Sequence, residues 1–254
     1  MAETLPILHF DGSAFTAVPG GSSAATLYAV WGSGPRDLWA VGGVAGTLGG
    51  RILHYDGVRW TETASGSQTL YGLWGSAADD VYAVGGIAKG GSILHYDGRS
   101  WSAVGPSGYG LLAAWGSSRS DVWLVGYQGR MVHYDGAAWT EPTPLTRDSL
   151  YALSGSGPAE VWAVGKPGAL PDGLGWLHYD GKSWSAITSG AAESLHGLWA
   201  ASPQEAWAAG EHGVIVHLAS GAATRATRRR AAGLPAARRG GVALRAPRDG
   251  SLTR

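Results

Sequence analysis

The sequence predicts an all-β fold: a β-propeller of five four-stranded blades, an N-terminal strand closing the last blade, and a disordered basic C-terminal tail. Three observations carry this. Trp-Gly-Ser recurs at Trp31, Trp74 and Trp115, then as Ser154-Gly155-Ser156 and Trp199-Ala200-Ala201, at spacings of 43, 41, 39 and 45 residues. His-Tyr-Asp-Gly-x-x-Trp begins at His54, His95, His133 and His178, with a shorter relative at His9 and a degenerate one at His217. Composition agrees, since 13 Trp and 42 Gly against two Phe and two Met suit short strands and tight turns rather than helices. A period of this length marks blades that bury their faces on one another.

Residues 1–6 form a leader, and Ile7–Phe15 (ILHFDGSAF) match the back half of a repeat without its front half. The propeller is expected over 7–221, with units near 27–68, 69–109, 110–148, 149–193 and 194–221. The first strand of each unit is LYAVW, LYGLW, LLAAW, LYALS or LHGLW, apolar on both faces, as a strand between two neighbours must be. A Gly/Ser loop ends at Asp37, Asp80, Asp121, Glu160 or Glu205, and a second strand such as VWLVG follows. The third strand, ILHYD in its fullest form, runs into an Asp-Gly turn, a strong hairpin signal. The fourth is brief and centred on Trp60, Trp101, Trp139 or Trp184. The fifth unit has no such strand of its own, so the closing segment 7–18 is expected to supply it. The unpaired third-strand copy at Ile7–Phe10 leaves a truncated larger ring open as the alternative.

The formal net charge of zero conceals an asymmetry. Residues 222–254 hold nine Arg and one acid, Asp249, leaving ten basic and 18 acidic side chains in the first 221. The tail lacks Trp, Tyr and His, so no aromatics are interleaved for base stacking, and nucleic acid is not expected as a partner. There are no cysteines, which excludes disulfides and thiolate metal sites. No apolar run reaches a membrane-spanning helix, and the first residues lack the basic and apolar regions of a secretory signal.

DVWLVGYQGRMVHYDGAAW, from Asp121 to Trp139, resembles the Trp-rich propeller repeats of bacterial surface and sensor proteins. Two relatives are the two-component-regulator propeller repeat and the Asp-box repeat of sialidase-like proteins. An Asp box runs Ser-x-Asp-x-Gly-x-Thr-Trp, whereas Asp56-Gly57-Val58-Arg59-Trp60 is one residue shorter. The resemblance implies a binding or scaffolding platform, often extracellular or at the cell surface.

The six equivalent histidines suggest a metal, but third strands of neighbouring blades hold equivalent atoms well over ~10 Å apart, whereas zinc needs ligands at ~2 Å. Each is therefore expected to bond within its own blade, and no metal or cofactor is expected. The repeated acids are expected to shape loops. Function should lie where blades differ, in the loops between second and third strands and in the connections from one blade to the next. Strand alternation brings both classes to one face. The distinctive side chains there are Lys89, Tyr109, Tyr127, Gln128 and Arg147, with Asp148, Lys166, Asp172, Glu211 and His212. The expectation is a monomeric, non-enzymatic propeller binding a carbohydrate or protein through that face. A propeller glycoside hydrolase and a truncated non-functional fragment are the alternatives. Paired carboxylates count against hydrolysis by their absence from the innermost strands, whose one ionisable residue besides tyrosines is His196.

Overall fold

Asp-Gly turns fold each back half. Asp56 Oδ1 accepts the backbone N–H groups of Val58 and Arg59, both at 2.9 Å, and Gly57 takes the left-handed φ of 92° that the turn requires. Asp97, Asp135 and Asp180 repeat the arrangement. These N–H donors hold all four carboxyls below the ordinary carboxylate value. The computed structural model describes residues 7–20, 25–44, 46–64, 68–87, 90–166, 176–187, 192–219 and 222–226.

An N-terminal hairpin comprises β1 (Leu8–Phe10) and β2 (Phe15–Ala17). Blade 1 is β3 (Ala25–Gly34), β4 (Asp37–Val44), β5 (Gly50–Tyr55) and β6 (Trp60–Ala64). Blade 2 is β7 (Leu70–Ala77), β8 (Asp80–Gly85), β9 (Ser92–Tyr96) and β10 (Trp101–Ala103). Blade 3 is β11 (Leu111–Ser118), β12 (Asp121–Gly126), β13 (Met131–Tyr134) and β14 (Trp139–Thr140). Blade 4 is β15 (Leu150–Gly157), β16 (Glu160–Gly165), β17 (Trp176–Tyr179) and β18 (Trp184–Ile187). Blade 5 is β19 (Leu195–Ser202), β20 (Glu205–Gly210), β21 (Ile215–Ala219) and β22 (Ala222–Ala226). Each blade is an antiparallel four-stranded sheet in chain order, so the chain is all-β and built of five propeller blades.

Two expectations are corrected. The fourth strand of blade 5 is not the N-terminal segment but β22, at the head of the stretch expected to be a disordered tail. A two-residue link joins β21 to β22, and so short a closure costs little chain entropy. The N-terminal segment instead folds on itself through its own Asp11-Gly12 turn, pairing Phe10 with Phe15. Ile7 and Val18 then pack on Ala40, Leu53 and Trp60 of blade 1, and Trp60 N–H donates to Pro19 O at 3.0 Å. The rest of the tail, 227–254, and the leader, 1–6, lie outside the described residues.

The Trp-Gly-Ser signature is an inter-blade lock. A Cβ on Gly75, Gly116 or Gly155 would lie 2.8, 2.6 or 2.5 Å from Cη2 of the preceding blade's Trp31, Trp74 or Trp115. Blade 4 carries Ser154 instead of Trp, and blade 5 then carries Ala200 instead of Gly, with Ala200 N–H donating to Ser154 Oγ at 3.0 Å. Size is exchanged across the interface. A second lock lies further out, where Trp39 meets Trp101 edge-on at 5.3 Å, Tyr82 meets Trp139 at 6.0 Å and Trp123 meets Trp184 at 5.1 Å. β22 offers no Trp to blade 4, and there Trp162 meets Trp176 of its own blade at 5.9 Å. These ring contacts lie inside the apolar clusters that each pair of neighbouring blades buries.

Candidate functional site

The repeated polar groups sit at the end of the blades where β3 turns into β4 and its equivalents do the same. His54 Nε2 lies 2.6 Å from Asp37 Oδ1, His95 2.8 Å from Asp80, His133 2.7 Å from Asp121 and His178 2.7 Å from Glu160. The pair in blade 5, His217 and Glu205, is looser at 3.5 Å. Each carboxylate is an acceptor, so the imidazole Nε2 carries the proton. Ser76 and Ser117 Oγ donate to the other oxygen of Asp80 and Asp121 at 2.5 Å, and Ser33 does the same to Asp37. Burial pushes the Asp80 and Asp121 carboxyls up, but the hydrogen bonds from histidine and serine and the histidine charge outweigh it and leave both lowered. Serine and histidine share the acid rather than each other, so the histidine is not placed to activate the hydroxyl. The imidazoles also stack on Trp39, Tyr82, Trp123, Trp162 and Trp207, with centroids 3.8–4.4 Å apart. These stations tie the third strand to the second within each blade, and they build structure. Among the described residues no three His, Asp or Glu side chains group closely enough to hold a metal ion.

The opposite end is different. In every blade the residue after the first-strand leucine is skipped by the ladder: Leu27 pairs with Gly42 and Ala29 with Val41, leaving Tyr28 in a bulge. The same bulge falls at Tyr71, Leu112, Tyr151 and His196 in the other four innermost strands. Tyr28 and Tyr71 meet at 5.0 Å, and Tyr151 stacks on His196 at 4.7 Å. Where blade 3 offers Leu112, Tyr127 from the β12–β13 loop takes the aromatic place, within electrostatic reach of Tyr28, Tyr71 and Tyr151. Partial burial, then the neighbouring tyrosines, raise the Tyr71 and Tyr127 phenols, which stay neutral donors. Glu211 Oε1 lies 3.4 Å from His196 Nε2 at the rim. Five blades thus converge an aromatic cluster on the axis.

The loops around it are fastened to one another. Tyr127 N–H donates to Gly110 O, Lys166 N–H to Ser149 O and Glu211 N–H to Ser194 O, joining each second-to-third-strand loop to the connection entering its blade. Arg130, buried and 5 % exposed, donates to Tyr109 O at 2.6 Å, Pro106 O at 2.9 Å and Glu141 Oε1 at 2.6 Å. It clasps the connections on both sides of blade 3.

Of the residues singled out from sequence, Tyr127 and Glu211 lie in this cluster. Tyr109 stands exposed beside the Arg130 clasp, and Gln128 and His212 occupy left-handed positions (φ 60° and 55°) in two loops of identical shape. Asp148 takes its place in a turn with Thr146, while Arg147 and Lys166 are exposed on the same face. Lys89 and Asp172 lie outside the described residues. Sequence reasoning missed Tyr28, Tyr71, Tyr151 and His196, because the bulge that turns them to the axis leaves no periodic trace. Their signal was a polar-tipped aromatic at one fixed place in otherwise apolar strands.

No protein-family model matches the chain, and no curated protein matches it. Solved structures do. The chain is similar to YCF48 in its complex bound to D1 peptide, at 16% identity and TM-score 0.55, over 77% of this chain and 66% of that one. It is also similar to the WD40 beta propeller domain of Doa1, at 8% identity and TM-score 0.61, over 79% of this chain and 68% of that one. The chain therefore spans just under two thirds of the YCF48 chain. At such identities the likeness establishes the fold, and this chain is a β-propeller repeat protein.

Proposed function

We propose that this propeller is a binding platform for a segment of a protein partner, held at the variable-loop end over the axial aromatic cluster. The convergence of Tyr28, Tyr71, Tyr127, Tyr151 and His196 from five blades carries this reading. Tyrosines give large, rigid contact area with a polar tip at low entropic cost, as recognition surfaces require. Glu211 at the rim and the phenol faces favour a partner segment bearing Lys or Arg. YCF48, a similar propeller, has been captured with a peptide. The test is selection of displayed peptides on the full chain, followed by counter-screening on Tyr71→Ala/Tyr151→Ala. Peptides that lose binding to the double variant support the reading, and peptides that bind both equally contradict it.

Carbohydrate is the second reading, favoured by the 53% exposure of Tyr28 beside Tyr71, which leaves an aromatic face open to a sugar ring. Glycan-array binding that requires Tyr28, with no peptide selected, would establish it. Hydrolysis is less well supported, because two carboxylates ~5–9.5 Å apart are needed and the acid bonded into the cluster is Glu211.

A further inference from the structure

The N-terminal hairpin reproduces the back half of a blade in register. Phe10↔Phe15 and His9↔Thr16 in β1 and β2 match Tyr55↔Trp60 and His54↔Thr61 in β5 and β6. In all five blades the third strand lies against a second strand, but among the described residues β1 pairs with β2 alone, which leaves its inner edge open. In all five blades the third-strand histidine faces an acid and stacks on an aromatic ring, whereas His9 is exposed and makes neither contact among the described residues.

Among the described residues nothing packs on much of the blade faces on either side. Leu73 and Leu153 are 9% and 8% exposed where the preceding blade covers them, while Val30, their equivalent in blade 1, is 67% exposed. Val30, Tyr28, Leu38, Leu8 and His9 line a cavity of about 320 Å³ between the hairpin and blade 1. At the other end Trp199 is 60% exposed, since no following glycine receives it. Gly32 is exposed, since no preceding tryptophan covers it.

We infer that the hairpin and the open face of blade 1 form an acceptor for the front half of a blade, a two-stranded hairpin that carries this repeat's own front-half pattern. The inter-blade interfaces already described specify the contacts. The incoming second strand adds to the edge of β1 by backbone hydrogen bonding. Its leading acid meets His9 and its Trp stacks on that imidazole. The Trp of its Trp-Gly-Ser covers Gly32, and the Gly receives Trp199. Its remaining apolar side chains cover Val30 and Leu38. This surface shares Tyr28 with the axial cluster and is otherwise built from other residues, and the inference does not depend on the cluster binding a ligand.

The probe is the protein's own Leu111–Gly126 segment, LLAAWGSSRSDVWLVG, fused to a soluble carrier and titrated into the full chain by calorimetry. Saturable one-to-one binding and a raised melting temperature are expected. Carrying Asp121→Asn in the probe weakens binding about tenfold, the fold-change of a lost charge-assisted hydrogen bond. His9→Ala in the chain, at an exposed position, gives a similar loss, and the two losses together are less than additive. Val30→Asp in the chain abolishes binding without lowering the chain's own melting temperature. No saturable binding, equal binding of a scrambled probe, or full affinity for Val30→Asp would overturn the inference. So would sedimentation of the chain alone as a dimer that excludes the probe, since a second copy would then be the occupant.

Discussion

The two ends of the propeller use polar aromatics in opposite ways. At the end with constant loops, His133 is locked between Asp121 at 2.7 Å and Trp123 at 4.0 Å, and the same station recurs from blade to blade. At the variable-loop end, Tyr28, Tyr71 and Tyr151 also occupy a repeated position, but a bulge turns each out of its sheet and their ring partners come from neighbouring blades. Repetition therefore does not by itself mark a residue as structural. What separates the ends is where the polar ring finds its partners. Each histidine finds its acid and its stacking ring within its own blade, and each of these tyrosines meets a ring of a neighbouring blade.

The largest expected effect tests the structural end. Trp123 is 2% exposed, and Trp123→Ala should cost about 3–5 kcal/mol by chemical denaturation. A cost below about 1 kcal/mol, typical of surface positions, would break the distinction between the ends. Gly116→Ala should cost about 1–3 kcal/mol by forcing a methyl against Trp74 and the backbone carbonyl of Asp121. Adding Trp74→Ser should recover part of that cost, reproducing the Ser154–Ala200 exchange found between blades 4 and 5. A strictly additive double variant would show that the exchange is not a packing compensation.

Arg130→Ala should destabilise by about 1–3 kcal/mol and speed hydrogen exchange in the connection that carries Pro106 and Tyr109. Unchanged exchange there would show that the clasp does not order the face. The smallest effect is in pH dependence. Asp80 and Asp121 have lowered folded-state pKa values, so the stability they contribute is complete above the ordinary carboxylate value. It is lost as pH falls through the lowered folded values. Melting temperature followed downward from pH 5 should therefore fall less steeply in Asp121→Asn than in the natural chain, and parallel curves would contradict the assignment.

Much of this was legible in the sequence. The period gave five blades, and the loop lengths identified the variable face, because turn chemistry and repeat spacing are local signals. That each histidine bonds within its own blade was legible as well, but the acid it meets was not, since that acid was read only as shaping its loop. Three further features were not. The bulges at Tyr28 and Tyr71 arise where a strand must bend around the axis, and no spacing records that. The strand at Ala222–Ala226 has neither the Trp nor the alternation of its equivalents and is held by pairing with β21. Arg130 looked like one more loop charge, and its burial depends on carbonyls 21 and 24 residues away in sequence.

The central claim is that the axial aromatics form the recognition surface. Its most direct test is the affinity of peptides selected on the full chain, measured by calorimetry against Tyr151→Ala and, at the other end, Ser120→Ala. Tyr151→Ala should change stability by no more than about 1 kcal/mol, yet weaken the peptides about tenfold or more, the loss expected on truncating a central aromatic contact. Ser120→Ala should leave affinity unchanged. Equal affinity for all three proteins, or loss only with Ser120→Ala, would contradict the claim.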